Sequence, residues 1–222
     1  MQHAIDFKYF INPLNAKFMK KIGNIIVKVT NGNIAKKHVD CIVVPQFSAH
    51  ASCKTGVGKI LCQNGMEHGM LLYDFYAKHH VLHDGDVWIS ISGKNNIQLA
   101  HVVTADSWRD EEYSAAFKAV FNTLVKAAKK KWECIAIPEI GTGIIGNLTQ
   151  RQSAHSICAA IYQFTQLFPE NNIKSILLVI DDNLTEPADE VLELKLYETI
   201  GDEVGQCSFD AQAWLSEMGY AK

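Results

Sequence analysis

The stretch from Cys134 to Gly146 constrains the fold most. Cys134-Ile135-Ala136-Ile137 is a short apolar run, Pro138 ends it, and Gly141, Gly143 and Gly146 follow within six residues. Four apolar residues closed by a residue without an N–H describe a buried parallel strand brought to its end. Glycines take φ > 0 without strain, so successive N–H groups of such a loop can turn inward on an anion. Thr149 and Gln152 then stand at capping-box spacing, and Ala154, Ile157, Ile161, Phe164 and Phe168 give the following segment the apolar stripe of a helix. Strand, glycine loop and capped helix is an arrangement in which α/β proteins hold phosphate; the same glycines would also serve a plain turn.

The rest of the chain extends this pattern. Apolar runs predict strands over 24–30, 39–44, 86–91, 99–104, 133–138 and 173–180. Tyr113, Phe117, Val120, Phe121, Leu124 and Ala128 form one stripe of a helix over 111–131, a second helix covers 149–168, and a third begins near Gly56 and resumes, after a break around Gly65 to Gly69, as far as about His80. Alternating strands and helices predict a mostly parallel sheet covered on both faces. Residues 1–23 read as an N-terminal extension and 24–183 as the α/β domain. The acidic segment 184–222 carries Val191, Leu192, Leu194, Leu196, Tyr197 and Ile200, then Ala211, Trp214, Leu215 and Met218, at helical spacing. These two short amphipathic helices pack on the domain or bind a protein partner.

Composition narrows the function classes. A net charge of −3 over 222 residues argues against a general basic field for nucleic acid. Lys129, Lys130 and Lys131 close the helix that Glu111 and Glu112 open, which complements the helix dipole. The six cysteines contain no C-x-x-C pair, and Cys41, Cys134 and Cys158 fall on apolar faces, so they read as buried thiols of a reducing compartment. With no signal-peptide pattern and no apolar stretch of membrane-spanning length, the expectation is a soluble, cytoplasmic protein.

Three polar or glycine-bearing turns follow carboxyl ends of strands: Asn31-Gly32-Asn33-Ile34, Lys54-Thr55-Gly56-Val57-Gly58 and the loop Gly141-Thr142-Gly143-Ile144-Ile145-Gly146. Ligands of open parallel sheets bind at that edge. In order and character these turns resemble the macro domain family over residues 24–181. The resemblance implies a three-layer α/β/α sandwich around a mixed, mainly parallel sheet, and ADP-ribose or an ADP-ribosylated macromolecule as ligand. It further implies that Asn33 and Ile34 select adenine, matching the family's Gly-Asp-Ile/Leu turn with a neutral acceptor in place of the acid. By the same resemblance Gly56, Val57 and Gly58 approach the distal ribose and pyrophosphate, and Gly141, Thr142, Gly143, Ile144, Ile145 and Gly146 wrap the diphosphate.

The family's catalytic positions diverge. Phe47 falls where hydrolytic members place an asparagine, Gly58 where one branch has an aspartate, Ser107 near a branch lysine, and Ile145 or Gly146 at a branch aspartate. No flat aromatic follows the last strand, where Asp181-Asp182-Asn183 stands. The leading expectation is therefore a binder of ADP-ribose or of ADP-ribosylated protein or nucleic acid. The alternatives are an ADP-ribosyl hydrolase with a non-standard catalytic set, for which Asp106 is the candidate, and a macro-like scaffold whose acidic C-terminal helices bind protein.

Other constellations carry less. Asp106 and Arg109 either touch the ligand or, with Ser107 and Asp110, cap the next helix. His79, His80, His83, Asp84 and Asp86 read as a surface cluster rather than a metal site. His50, Cys53 and Cys62 do not reproduce the zinc motif of some macro domain branches. Neither a metal ion nor a cofactor is expected.

Overall fold

The computed structural model describes residues 16–47, 51, 53–93, 96–105, 112–142, 148 and 150–180. Within them lie seven strands, β1 (Ala16–Ile22), β2 (Ile25–Asn31), β3 (Cys41–Phe47), β4 (Val87–Ile91), β5 (Gln98–Ala105), β6 (Cys134–Pro138) and β7 (Ser175–Ile180). Four helices accompany them, α1 (Gly56–Gln63), α2 (Glu67–His79), α3 (Glu112–Lys130) and α4 (Gln150–Leu167), with a 3-10 turn at Ile34–Lys36. The strands form one sheet in the order β1-β2-β7-β6-β3-β5-β4. Neighbours from β2 to β5 run parallel, while β1 and β4 close the two edges antiparallel. This is the mixed, mainly parallel sheet of the sequence reading. Residues 16–22, read there as part of an extension, supply its first strand.

Alternation along the strands divides the interior into two layers. Val27, Val29, Cys41, Val43, Ile135, Ile137 and Ile176 point to one face, where Phe117, Val120, Phe121 and Leu124 of α3 and Ile157, Ile161 and Phe164 of α4 cover them. Ile42, Val44, Leu99, Ala136, Leu177 and Val179 point to the other, against Leu61 of α1, Met66, and Met70 of α2. Central strands buried on both sides need apolar residues at every position, which explains their continuous runs.

The third helix is broken as expected. Met66 N–H and Asn64 N–H both donate to the Leu61 carbonyl, and Gly65 takes a φ of +81°, so the chain turns between α1 and α2. At the opposite edge of the sheet from the glycine loops, Asp40 ties two strands together. Its Oδ2 accepts from the N–H groups of Glu133 (2.7 Å) and Cys134 (3.0 Å). No described helix is long and apolar enough to cross a membrane.

Candidate ligand site

Parallel alignment delivers the carboxyl ends of β2, β7, β6, β3 and β5 to one edge of the sheet. The turn after β2, the approach to α1 and the loop after β6 therefore converge there. Helices α1, α3 and α4 follow β3, β5 and β6, so their amino ends, with N–H groups that lack intrahelical acceptors, face the same edge.

The turn after β2 is fixed from several sides. Gly32 has a φ of +105°, and its N–H donates to the Ile180 carbonyl at the end of β7 (2.9 Å). Lys37 reaches back with Nζ to Thr30 Oγ1 (3.1 Å) and the Asn31 carbonyl (2.8 Å). Asn33 is the N-cap of the 3-10 turn: its Oδ1 accepts from Ala35 N–H at 2.9 Å. One lone pair of that oxygen is thus engaged and the other is left for a ligand. Ile34 is buried in the second core, so only its backbone can serve a ligand.

At α1, Gly56 has a φ of +52°, and a Cβ built on it would meet nothing within 4 Å. Its backbone therefore borders open space. Val57 packs against the second core, and Gly58 is buried in the helix. Cys53 and Cys62 form a disulfide across this segment, with Cα atoms 5.8 Å apart. That departs from the reading of these two as reduced thiols. Cys41 and Cys158 are buried and Cys134 is half-buried, none of them in a disulfide, as their apolar faces suggested; burial pushes the Cys41 and Cys134 thiols up. Pairing also withdraws Cys53 and Cys62 from any zinc site.

The loop after β6 is closed at its base. Leu148 N–H donates to the Gly141 carbonyl (3.1 Å), and Gly141, at a φ of +78°, packs so closely on Leu148 that a Cβ would lie 2.7 Å from its Cδ1. Thr142 Oγ1 donates to Glu139 Oε2 (3.4 Å). Gly143, Ile144, Ile145 and Gly146, together with Thr149, Asp106, Ser107, Arg109 and both C-terminal amphipathic segments, lie outside the described residues. Of Phe47 the structure gives the backbone, at the end of β3 opposite Ala105.

Two residues near this edge were given no role of their own from sequence. Ser153, in the first turn of α4, accepts the buried N–H of Ile140 through Oγ at 2.8 Å and so anchors the glycine loop to the helix; a serine shortly after a glycine loop was the available signal. Asn31 Oδ1, at the end of β2, is buried with no hydrogen-bond partner among the described residues, and no periodicity could have marked it.

Behind the edge runs a buried polar chain. Gln46 Nε2 donates to His101 Nδ1 (3.5 Å), His101 Nε2 donates to Ser90 Oγ (2.8 Å), and Ser90 donates to the Gly69 carbonyl (3.2 Å). His101 is stacked on Tyr73 with ring centroids 4.6 Å apart, and burial holds its pKa down at about 3. This chain joins β3, β5, β4 and α2, and keeps the imidazole neutral. The histidine cluster at the end of α2 turns back on its own helix instead, His79 and His80 donating from Nδ1 to the carbonyls of Phe75 and Tyr76. A cleft of about 240 Å³ lies on the β4 flank between Tyr76, His80, Asp86, Trp88, Asn122 and Lys126, several strands removed from Asn33.

Neither a protein-family model nor a curated protein matches the sequence. Solved structures do. A variant of the Oceanobacillus iheyensis macrodomain aligns over 84% of this chain and 98% of its own at 17% identity, with a TM-score of 0.69. A second variant of that macrodomain, with ADPR, aligns over 82% and 97% at 18% identity with a TM-score of 0.66. The Trypanosoma brucei macrodomain in complex with ADP-ribose aligns over 78% of this chain and 68% of its own at 16% identity with a TM-score of 0.58. Seven strands in this order, helices on both faces and glycine turns gathered at one carboxyl edge make this chain a macrodomain in fold.

Proposed function

We propose that the chain binds ADP-ribose, free or attached to a protein or nucleic acid. The observation that carries this reading is the convergence of the Gly32–Asn33 turn, the Gly56 approach to α1 and the Gly141 loop at one edge of a macrodomain fold. Adenine sits over the Asn33 turn, where the second lone pair of Oδ1 accepts from its amino group. The diphosphate lies across the backbone N–H groups of Gly56 to Gly58 and of the loop containing Gly141, Thr142, Gly143, Ile144, Ile145 and Gly146. Positive φ values at Gly56 and Gly141 and the amino ends of the helices supply the donors and the favourable field. The macrodomain structures that hold ADPR or ADP-ribose support the ligand class.

The test is thermal unfolding with ADP-ribose, ADP, AMP and NAD. A ligand at about 100 times its dissociation constant stabilises the native state by about 2.7 kcal/mol, which shifts the melting temperature of a domain of this size by several degrees. ADP-ribose should give the largest shift and AMP a smaller one. Gly143→Glu, which brings bulk and negative charge to the diphosphate, should remove the ADP-ribose shift. No shift at millimolar ADP-ribose would refute the reading and favour the scaffold alternative. Rapid release of ADP-ribose from modified protein or DNA ends, lost in Gly143→Glu, would make the chain a hydrolase.

A further inference from the structure

The sheet ends laterally at β1 and β4, and these two border strands are built differently. Strand β1 holds Lys17, Lys20 and Lys21 in its sequence, and its register with β2 shifts between Ala16 and Phe18. Charge and irregularity of that kind keep a border strand from pairing further. Strand β4 reads Val87-Trp88-Ile89-Ser90-Ile91, with no charge, proline or glycine, and its register with β5 runs unbroken.

The hydrogen bonds fix which groups of β4 point outward. Val103 N–H donates to the Asp86 carbonyl (2.9 Å) and Ser92 N–H to the Ile97 carbonyl (2.9 Å), so the bonded antiparallel pairs fall at Asp86, Trp88, Ser90 and Ser92. The N–H and C=O groups of Val87, Ile89 and Ile91 therefore face away from β5, and no described strand lies beyond them. The flank of α2 beside this row is apolar as well. Tyr76 stacks on Trp88 with ring centroids 4.9 Å apart, Leu72 lies one turn earlier on the same side, and Phe75 stands next to it. Leu71, Leu72, Phe75, Val81 and Ile91 are all exposed, and among the described residues only Tyr162 is a large exposed apolar side chain outside this region. A strand border with unpaired amides and apolar side chains gathered beside it is an interaction surface.

We propose that this surface joins a second copy of the chain, the two β4 strands pairing antiparallel about a two-fold axis at Ile89. Val87 of each copy then stands opposite Ile91 of the other and Ile89 opposite Ile89, and every such pair exchanges both of its N–H···O bonds. The rotation sets the α2 flanks of both copies on one face of a continuous sheet, facing each other across the axis. Two-fold closure follows from the contrast between the border strands. Joining β4 to β1 of the next copy would build an open-ended sheet, which the lysines and the register shift of β1 oppose. The rest of this chain fits the surface less well. The sequence of 184–222 has helical rather than two-residue apolar spacing, and residues 1–15 lead into β1, across the whole sheet from β4 and about 29 Å away at about 4.8 Å per strand. In the pair the two ligand edges point in opposite directions and stay open, so the inference stands apart from the ADP-ribose reading.

The test uses the full chain without ligand. Sedimentation velocity from micromolar to near-millimolar protein should show monomer giving way to dimer. Amide exchange at Val87, Ile89 and Ile91 should slow as concentration rises, whereas Trp88 and Ser90, bonded to β5, stay slow throughout. Ile91→Pro deletes an outward N–H without touching the β5 ladder. By symmetry it removes that bond twice, so it should weaken dimerisation by about tenfold or more. Far-UV circular dichroism should match that of the native chain; if it does not, exchange in the native chain decides alone. A monomer at every concentration overturns the proposal, as does an unchanged dimer in a folded Ile91→Pro variant. A dimer whose Val87, Ile89 and Ile91 amides exchange freely, or a polymer that keeps growing, overturns it too. Protection of these amides in a dilute monomer also overturns it, since the cover is then another part of this chain.

Discussion

Lowering the pH from 7 to 5 should cost this protein stability through one residue, His101. The imidazole is fully buried, and its hydrogen bonds run in one direction, from Gln46 into Nδ1 and from Nε2 out to Ser90 and on to Gly69. A second proton on Nδ1 would face the Gln46 amide nitrogen and place a charge in the core. Burial accordingly holds the folded-state pKa at about 3, against about 6.5 in the unfolded chain. Because the folded value is the lower, the contribution of His101 is fully present above about pH 6.5 and is lost as pH falls toward 3. At pH 5 the unfolded chain has bound a proton that the folded chain refuses, a difference of about 2 kcal/mol at 1.36 kcal/mol per pH unit. Urea unfolding at the two pH values, for the native sequence and for His101→Gln, isolates the term. The native chain should lose about 2 kcal/mol more than the variant between pH 7 and pH 5. An equal pH dependence in both proteins would mean that His101 takes up its proton while folded, and the neutral polar chain described here would be wrong.

The site glycines give a paired prediction. Gly141→Ala should cost about 2–4 kcal/mol, combining left-handed strain with overlap on Leu148, whereas Gly56→Ala, with open space around it, should cost about 1 kcal/mol in the same denaturant assay. Asn33→Ala should weaken ADP-ribose binding by about 0.5–1.5 kcal/mol, while Asn33→Asp should keep both the cap and the affinity; equal affinity for the inosine analogue would remove the adenine role. Asp40→Ala deletes two bonds to the start of β6 and should lower stability by about 1 kcal/mol at neutral pH without changing ligand affinity.

Six of the seven strands could be read from the sequence because they are buried on both faces or, like Val87-Trp88-Ile89-Ser90-Ile91, are built from β-formers between turn residues. The exception was β1: Ala-Lys-Phe-Met-Lys-Lys-Ile has neither a continuous apolar run nor strict alternation, and it joins the sheet only through its hairpin with β2. Helix ends moved by a residue or two, as they do wherever the last turn frays. The glycine turns at this edge were legible as turns because glycine at a strand end carries a conformational requirement that the structure meets at Gly32, Gly56 and Gly141. What was not legible depends on contacts between distant segments. The union of Cys53 with Cys62 depends on a loop folding back along a helix and has no signature in their spacing. The partners of Ser153, Asp40 and His101 likewise exist only once the sheet is assembled. Asn33 shows the intermediate case: its side chain was read as a ligand acceptor, and what the structure shows of it is the N-cap of the 3-10 turn.

The most direct test of the central claim is amide chemical-shift mapping of the oxidised protein during titration with ADP-ribose, since it reports at once whether the ligand binds and where. Saturable shifts should appear at Gly32, Asn33 and Ile34, at Gly56, Val57 and Gly58, and at Gly141, Thr142 and Gly143, while Tyr76 and Trp88 on the β4 flank stay still. Absence of any shift at millimolar ADP-ribose, or shifts gathered at Tyr76, Trp88 and Lys126 instead, would contradict the account.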